Sequence, residues 1–85
     1  MIRKQVERSL SVAFGRVIRR HREKSGLSQE ELADRAGVHR TYISSIELGK
    51  VRLGLDAAHR VAGGLDVALS RLIAEAETWR GRDDC

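Results

Sequence analysis

The sequence predicts an all-α fold of five short to medium helices. Two observations carry this reading. Apolar residues recur at three- and four-residue spacing, and no run alternates as a strand would. Glycines at positions 26, 37, 49 and 54 punctuate those runs where helices should end or begin. The 85 residues suffice for one domain. A chain of this size buries only about 60% of its unfolded surface, so modest stability or self-association is expected.

The first helix is expected over residues 2–24, in one piece or two. Val6, Leu10, Phe14, Val17, Ile18 and His21 share a helical face, with Phe14 and Ile18 as core anchors. The opposite face carries Arg16, Arg19, Arg20 and Glu23. Ser9, Ser11 and Gly15 weaken continuity. Residues 1–13 are therefore either an N-terminal extension or the first part of helix one, and Gly26 ends the helix.

Helix two is expected from Gln29 to Ala36. Ser28 is a good N-cap, and Glu31 stands three residues later to complete a capping box. Leu32, Ala33 and Ala36 form its apolar face, and Gly37 can take the left-handed conformation that stops it. Val38 plugs the turn. Helix three follows from about Arg40 to Leu48, with Ile43 and Ile46 inward and Arg40, Thr41, Ser44 and Ser45 outward. Small Ala33 allows two helices to cross closely at such a turn. Two short helices crossing over a tight glycine turn form the pattern of a helix-turn-helix, whose second helix enters the DNA major groove.

Lys50, Val51, Arg52 and Leu53 make a basic connector. Helix four is expected over Leu55 to Leu65, with Leu55, Ala58, Val61, Ala62 and Leu65 as its stripe and Gly63 and Gly64 terminating or fraying it. Helix five starts near Leu69 with Leu72, Ile73 and Ala76 apolar, and Trp79 extends that face. The domain would span residues 14–76. Residues 77–85 would be a C-terminal tail, with its GRDDC end disordered.

Lys and Arg total 16 against 12 Asp and Glu, giving net charge +4 and pI about 10.0. This favours a polyanionic partner. There is no proline, and aromatics are few. Cys85 is the sole cysteine, so no internal disulfide forms and no metal site is expected. His21, His39 and His59 match no zinc spacing, and no nucleophile–base grouping or phosphate loop is present. An enzyme is therefore not expected, and neither is a cofactor. No run approaches membrane-spanning length, and a signal-peptide core is lacking. A cytoplasmic protein without a membrane or small-molecule partner is expected.

The stretch FGRVIRRHREKSGLSQEELADRAGVHRTYISSIELGK, followed by L-D-x-x-x-x-V-A-x-x-L-D-V-x-L-S-x-L-I, resembles the Cro/C1-type helix-turn-helix domain of phage repressors and small bacterial regulators. The resemblance runs from Phe14 to Ile73. It implies a lambda-repressor-like five-helix domain, and the chain's length suits the controller proteins of restriction–modification systems. It further implies that Arg22 and Glu47 form an internal ion pair locking helix one to the end of helix three. Gln29 would bind a backbone phosphate, with Lys50 and Arg52 beside the phosphate backbone. Arg40, Thr41, Ser44 and Ser45 would reach base edges or nearby phosphates. His39 departs from the usual Ser or Thr cap, so the start of helix three is expected to shift or fray. Val51 to Gly54 replace an Asn-Pro turn, Gly64 replaces a helix former, and Asp66 replaces a glycine.

The chemistry of these side chains agrees with such roles. Arg40 can donate two hydrogen bonds to guanine O6 and N7, worth about 1–3 kcal/mol of discrimination, or hold a phosphate. Thr41 can offer a methyl to thymine, and Ser44 and Ser45 a hydroxyl to a base or phosphate. Tyr42 either lies on the sugar-phosphate wall or supports helix three. Gln29 at the positive start of helix two suits a phosphate. Arg19, Lys50 and Arg52 are further phosphate candidates or solvated surface.

Two domains related by a twofold axis would read a palindrome. Leu69, Leu72, Ile73, Ala76 and Trp79 are the expected homodimer surface, in a role shared with packing inside the monomer, where some of them must lie; Val6 and Leu10 are a second possibility. The competing reading is a DNA-binding antitoxin whose terminal segment also holds a toxin.

Overall fold

The computed structural model describes the backbone of residues 2–83 and the side chains of residues 10–79. Five helices follow one another: α1 Ile2–Lys24, α2 Gln29–Ala36, α3 Arg40–Glu47, α4 Leu55–Leu65 and α5 Leu69–Asp83. Helix α1 lies against α3 and α5, while α2 lies against α3 and α4. The core forms where these faces meet. Val17, Ile18, Leu32, Ile43, Ile46, Val61 and Leu72 are its largest fully buried side chains. Each contributes about 1.5–3 kcal/mol of apolar burial.

Local chemistry sets most boundaries. Ser28 Oγ accepts the Glu31 backbone N–H at 3.0 Å, and Glu31 Oε1 accepts the Ser28 N–H at 2.8 Å, closing the expected capping box. Gly37 takes the left-handed conformation at φ 72°, and Val38 N–H bonds back to Ala33 O at 3.0 Å. Ala33 is buried beneath the turn.

Several expectations are corrected. Helix α1 is one continuous helix from Ile2 to Lys24, in keeping with the second of the two readings left open for its start. Gly15 lies inside it without breaking it, and its lack of a Cβ lets the end of α3 come close. Helix α3 neither shifts nor frays at its start. His39 acts as the N-cap, with Nδ1 accepting the Thr41 backbone N–H at 3.2 Å. Helix α4 does not stop at its two glycines but runs through Gly63 and Gly64 to Leu65. Gly64 fits there because α2 approaches it closely, whereas Gly63 faces open space. Asp66 supplies the left-handed cap at φ 61°. Asp is tolerated there because its short polar side chain is among the few that visit this region. Helix α5 continues to Asp83, so residues 77–83 extend the helix instead of forming a tail.

A cluster of charges ties α5 to α1. Glu75 Oε1 accepts Arg20 Nη2 at 3.0 Å and lies 2.9 Å from His21 Nε2, while Oε2 accepts Arg71 Nε at 3.2 Å. Burial raises the Glu75 pKa, but bonding to His21, Arg20 and Arg71 outweighs this and leaves it below the usual carboxylate value. Arg20 also sits 4.6 Å above the centre of the Trp79 ring.

Candidate nucleic-acid interface

Helix α3 is built with two unlike faces. Ile43, Ile46 and Glu47 are buried, Arg40 and Thr41 are exposed, and Ser44 and Ser45 are half-buried. Arg40 with Ser44, and Thr41 with Ser45, are four residues apart, so all four share the outer side of one helix. Tyr42 is half-buried and packs against the core.

The orientation of this helix is set from its far end. Arg22 Nε donates to Glu47 Oε2 at 2.6 Å, and Nη2 donates to Oε1 at 3.0 Å. Arg22 Nη1 also donates to the Leu27 carbonyl at 2.8 Å. The side chains are 11% and 3% exposed respectively, so water contributes little screening. The hydrogen bond with Glu47 raises the Arg22 pKa against the opposing effect of burial, with the charges of Glu47 and Glu23 adding to the rise. The guanidinium and carboxylate thus join α1, the α1–α2 turn and the last residue of α3.

Gln29 joins the same network: its Nε2 donates to Glu47 Oε1 at 3.0 Å. Sequence reading assigned this residue to phosphate and missed the bond to Glu47. No local signal marks it, since the partners are 18 residues apart. Its place at the first position of α2 still exposes backbone N–H groups that have no partner within the helix.

Lys50 and Arg52 are exposed on the connector beyond α3. The connector is held to the helix by Lys50 N–H bonding to Ser45 O at 2.9 Å. Arg19 lies apart from the N-terminal end of α3. It lines a depression with Glu47, Leu48 and Trp79, and its Nε bonds to Glu23 at 3.1 Å.

The expected dimer surface is divided by the packing. Leu72 and Ala76 are wholly enclosed within the monomer and are withdrawn from that role. They complete the core because so few other large side chains are available to fill it. Leu69, Ile73 and Trp79 remain half-buried. Ile73 borders a groove of about 340 Å³ shared with Leu10, Phe14, Val51, Leu53 and Leu55. Leu55, expected on the apolar stripe of helix four from its spacing, is 75% exposed there. Val6 and Cys85 lie outside the described side chains.

Among the described residues, no group of three His, Cys, Asp or Glu side chains is placed to hold a metal ion. Among them also, no helix is long and apolar enough to cross a membrane.

The helix-turn-helix family model matches residues 18–72. The control protein C.MunI of a Mycoplasma species is 38% identical over 69 residues, covering 80% of this chain and 93% of that protein. The control protein C.BamHI of Bacillus amyloliquefaciens is 40% identical over 60 residues, covering 69% and 74%. Among solved structures, the restriction-modification controller protein C.AhdI from Aeromonas hydrophila superposes with a TM-score of 0.70 at 36% identity, covering 72% of this chain and 92% of that one. The span matched by the family model contains the capped turn, the outward face of α3 and the Arg22–Glu47 lock. The protein therefore belongs to the helix-turn-helix family of transcriptional regulators, and within that family it resembles the restriction–modification controller proteins.

Proposed function

We propose that this protein is a sequence-specific regulator that binds double-stranded DNA as a homodimer on a palindromic operator, including one at its own promoter. The observation that carries the reading is the outer side of α3. Arg40, Thr41, Ser44 and Ser45 stand together on a helix whose inner side is sealed by Ile43 and Ile46 and whose end is locked by Arg22. Inserted in the major groove, Arg40 reads guanine and the shorter side chains read neighbouring base edges. Lys50 and Arg52 follow the phosphate backbone, with Tyr42 against the sugar-phosphate wall and Arg19 a more distant phosphate contact. The first-turn N–H groups around Gln29 hold another phosphate. Such contacts position the domain, while α3 supplies the sequence information.

One domain covers half a site, so a twofold pair with recognition helices about 34 Å apart reads the whole. Leu69 and Ile73, with the exposed Leu55 on the groove it shares with Ile73, supply the contact between copies, and Trp79 extends it. Resemblance to restriction–modification controller proteins supports a regulatory role and pairing. The protein acts in the cytoplasm, and its control follows from its concentration and pairing, without a small-molecule effector.

The test is gel retardation of its own promoter fragment against excess nonspecific DNA at physiological salt, with sedimentation of the same sample. A dimer that footprints on paired half-sites is expected. A folded protein that enriches no sequence from a randomised pool overturns the reading. A small protein partner held in place of DNA would then favour an antitoxin.

A further inference from the structure

We infer that His39 sets the base preference of Thr41 by fixing the direction of its hydroxyl hydrogen, an inference that rests on α3 being the recognition helix. The imidazole Nδ1 accepts the Thr41 backbone N–H at 3.2 Å and stands 2.9 Å from Thr41 Oγ1. The backbone hydrogen has a fixed direction, so the ring nitrogen it meets carries a lone pair and no proton. In the neutral ring the proton is then on Nε2. Toward that lone pair the Thr41 hydroxyl has one role, that of donor.

The consequence falls on the DNA side. With its hydrogen engaged by His39, Thr41 presents only oxygen lone pairs and its methyl group. Adenine N6 and cytosine N4 amino groups can donate to those lone pairs, and the thymine methyl can pack on the threonine methyl. Guanine offers two acceptors, N7 and O6, and finds no donor. Thr41 therefore rejects guanine at the base it faces. A Ser or Thr cap would leave this choice open, because a hydroxyl cap carries a hydrogen of its own and can accept or donate. An imidazole capping through Nδ1 cannot do both.

The experiment compares base-selection profiles of the full chain, His39→Ser and Thr41→Val on randomised half-sites. One base pair should change in Thr41→Val. At that pair the unaltered protein should disfavour guanine by about fivefold, the worth of one hydrogen bond. The bias should be absent from His39→Ser. An unchanged Thr41→Val profile, or a His39→Ser profile matching the parent at that pair, overturns the inference. Nitrogen NMR of the DNA-free protein gives a readout that needs no variant to fold. The Nε2–H tautomer of His39 is expected, and the Nδ1–H tautomer overturns the inference even where an operator is selected. If the parent selects no base pair at all, the recognition-helix reading has failed and this inference falls with it.

Discussion

A Cβ placed on Gly15 would collide with the carbonyl oxygen of Ile46 and lie 3.1 Å from its carbonyl carbon. The backbones of α1 and α3 are therefore in direct contact where α3 ends. The obstacle is main chain rather than a flexible side chain, so it cannot move aside without displacing α3. Gly15→Ala should destabilise the fold by about 1–3 kcal/mol, as overpacking does. A lower thermal midpoint, with weakened operator binding, is the expected result.

Glu47 is the other anchor at that end. Removing one partner of a buried pair leaves an uncompensated charge and costs about 3–5 kcal/mol. Glu47→Ala strands the Arg22 guanidinium and also deprives Gln29 of its acceptor. The variant should lose DNA binding chiefly because the fold loosens. Urea unfolding without DNA checks this, and a midpoint equal to that of the parent would sink it.

Acid should weaken the hold of α5 on α1 through Glu75. Its folded pKa lies below the ordinary value of 4.5, so its contribution is complete above that value. The contribution declines as pH falls through the lowered folded value. The carboxylate is partly exposed, so the stabilisation is about 1 kcal/mol or less. The stability gap between the parent and Glu75→Gln should be present at neutral pH and close as pH falls through the lowered folded value. Unfolding curves at several pH values measure it.

Arg40 and Arg52 should behave differently on DNA. Arg40→Ala should cost about 1–3 kcal/mol on the best operator and relax selection at one base pair. Arg52→Ala should weaken all sequences alike and reduce the salt slope of binding by about 1. Binding isotherms at several salt concentrations, on matched and mismatched operators, separate the two.

Helix α4 offers a gain in stability. Nothing lies within 4 Å of a Cβ built on Gly63, and the residue is exposed within the helix. Gly63→Ala should stabilise by about 0.5–1 kcal/mol through helix propensity. Gly64→Ala lacks that freedom, since its Cβ would come 2.9 Å from Leu32 Cδ1 and 3.3 Å from Arg35 Cβ. Thermal melts of the two variants should move apart.

The adjacent glycines show where sequence reading stops. Both lower helix propensity equally, so a sequence-level reading ends or frays the helix at the pair. Tertiary structure distinguishes them, because α2 passes over one and solvent lies over the other. His39 was misjudged for a different reason. Imidazole is a weak cap on average, and its success here depends on one nitrogen meeting one N–H. Leu72 and Leu55 also exchange their expected places. Helical spacing assigns each a face, but only the neighbouring helices decide which face is covered.

The sequence by itself determined the five-helix class, the capped turn between Ser28 and Gly37, and the outward group Arg40, Thr41, Ser44 and Ser45. These features depend on caps, glycines and periodicity, which act over one or two helical turns. The tertiary structure alone decided the contact of Gly15 with Ile46, the place of Gln29 on Glu47, and the closing of Leu72 and Ala76 into the core. Those depend on distances between segments far apart along the chain, which are set only when the helices pack and exclude water from between them.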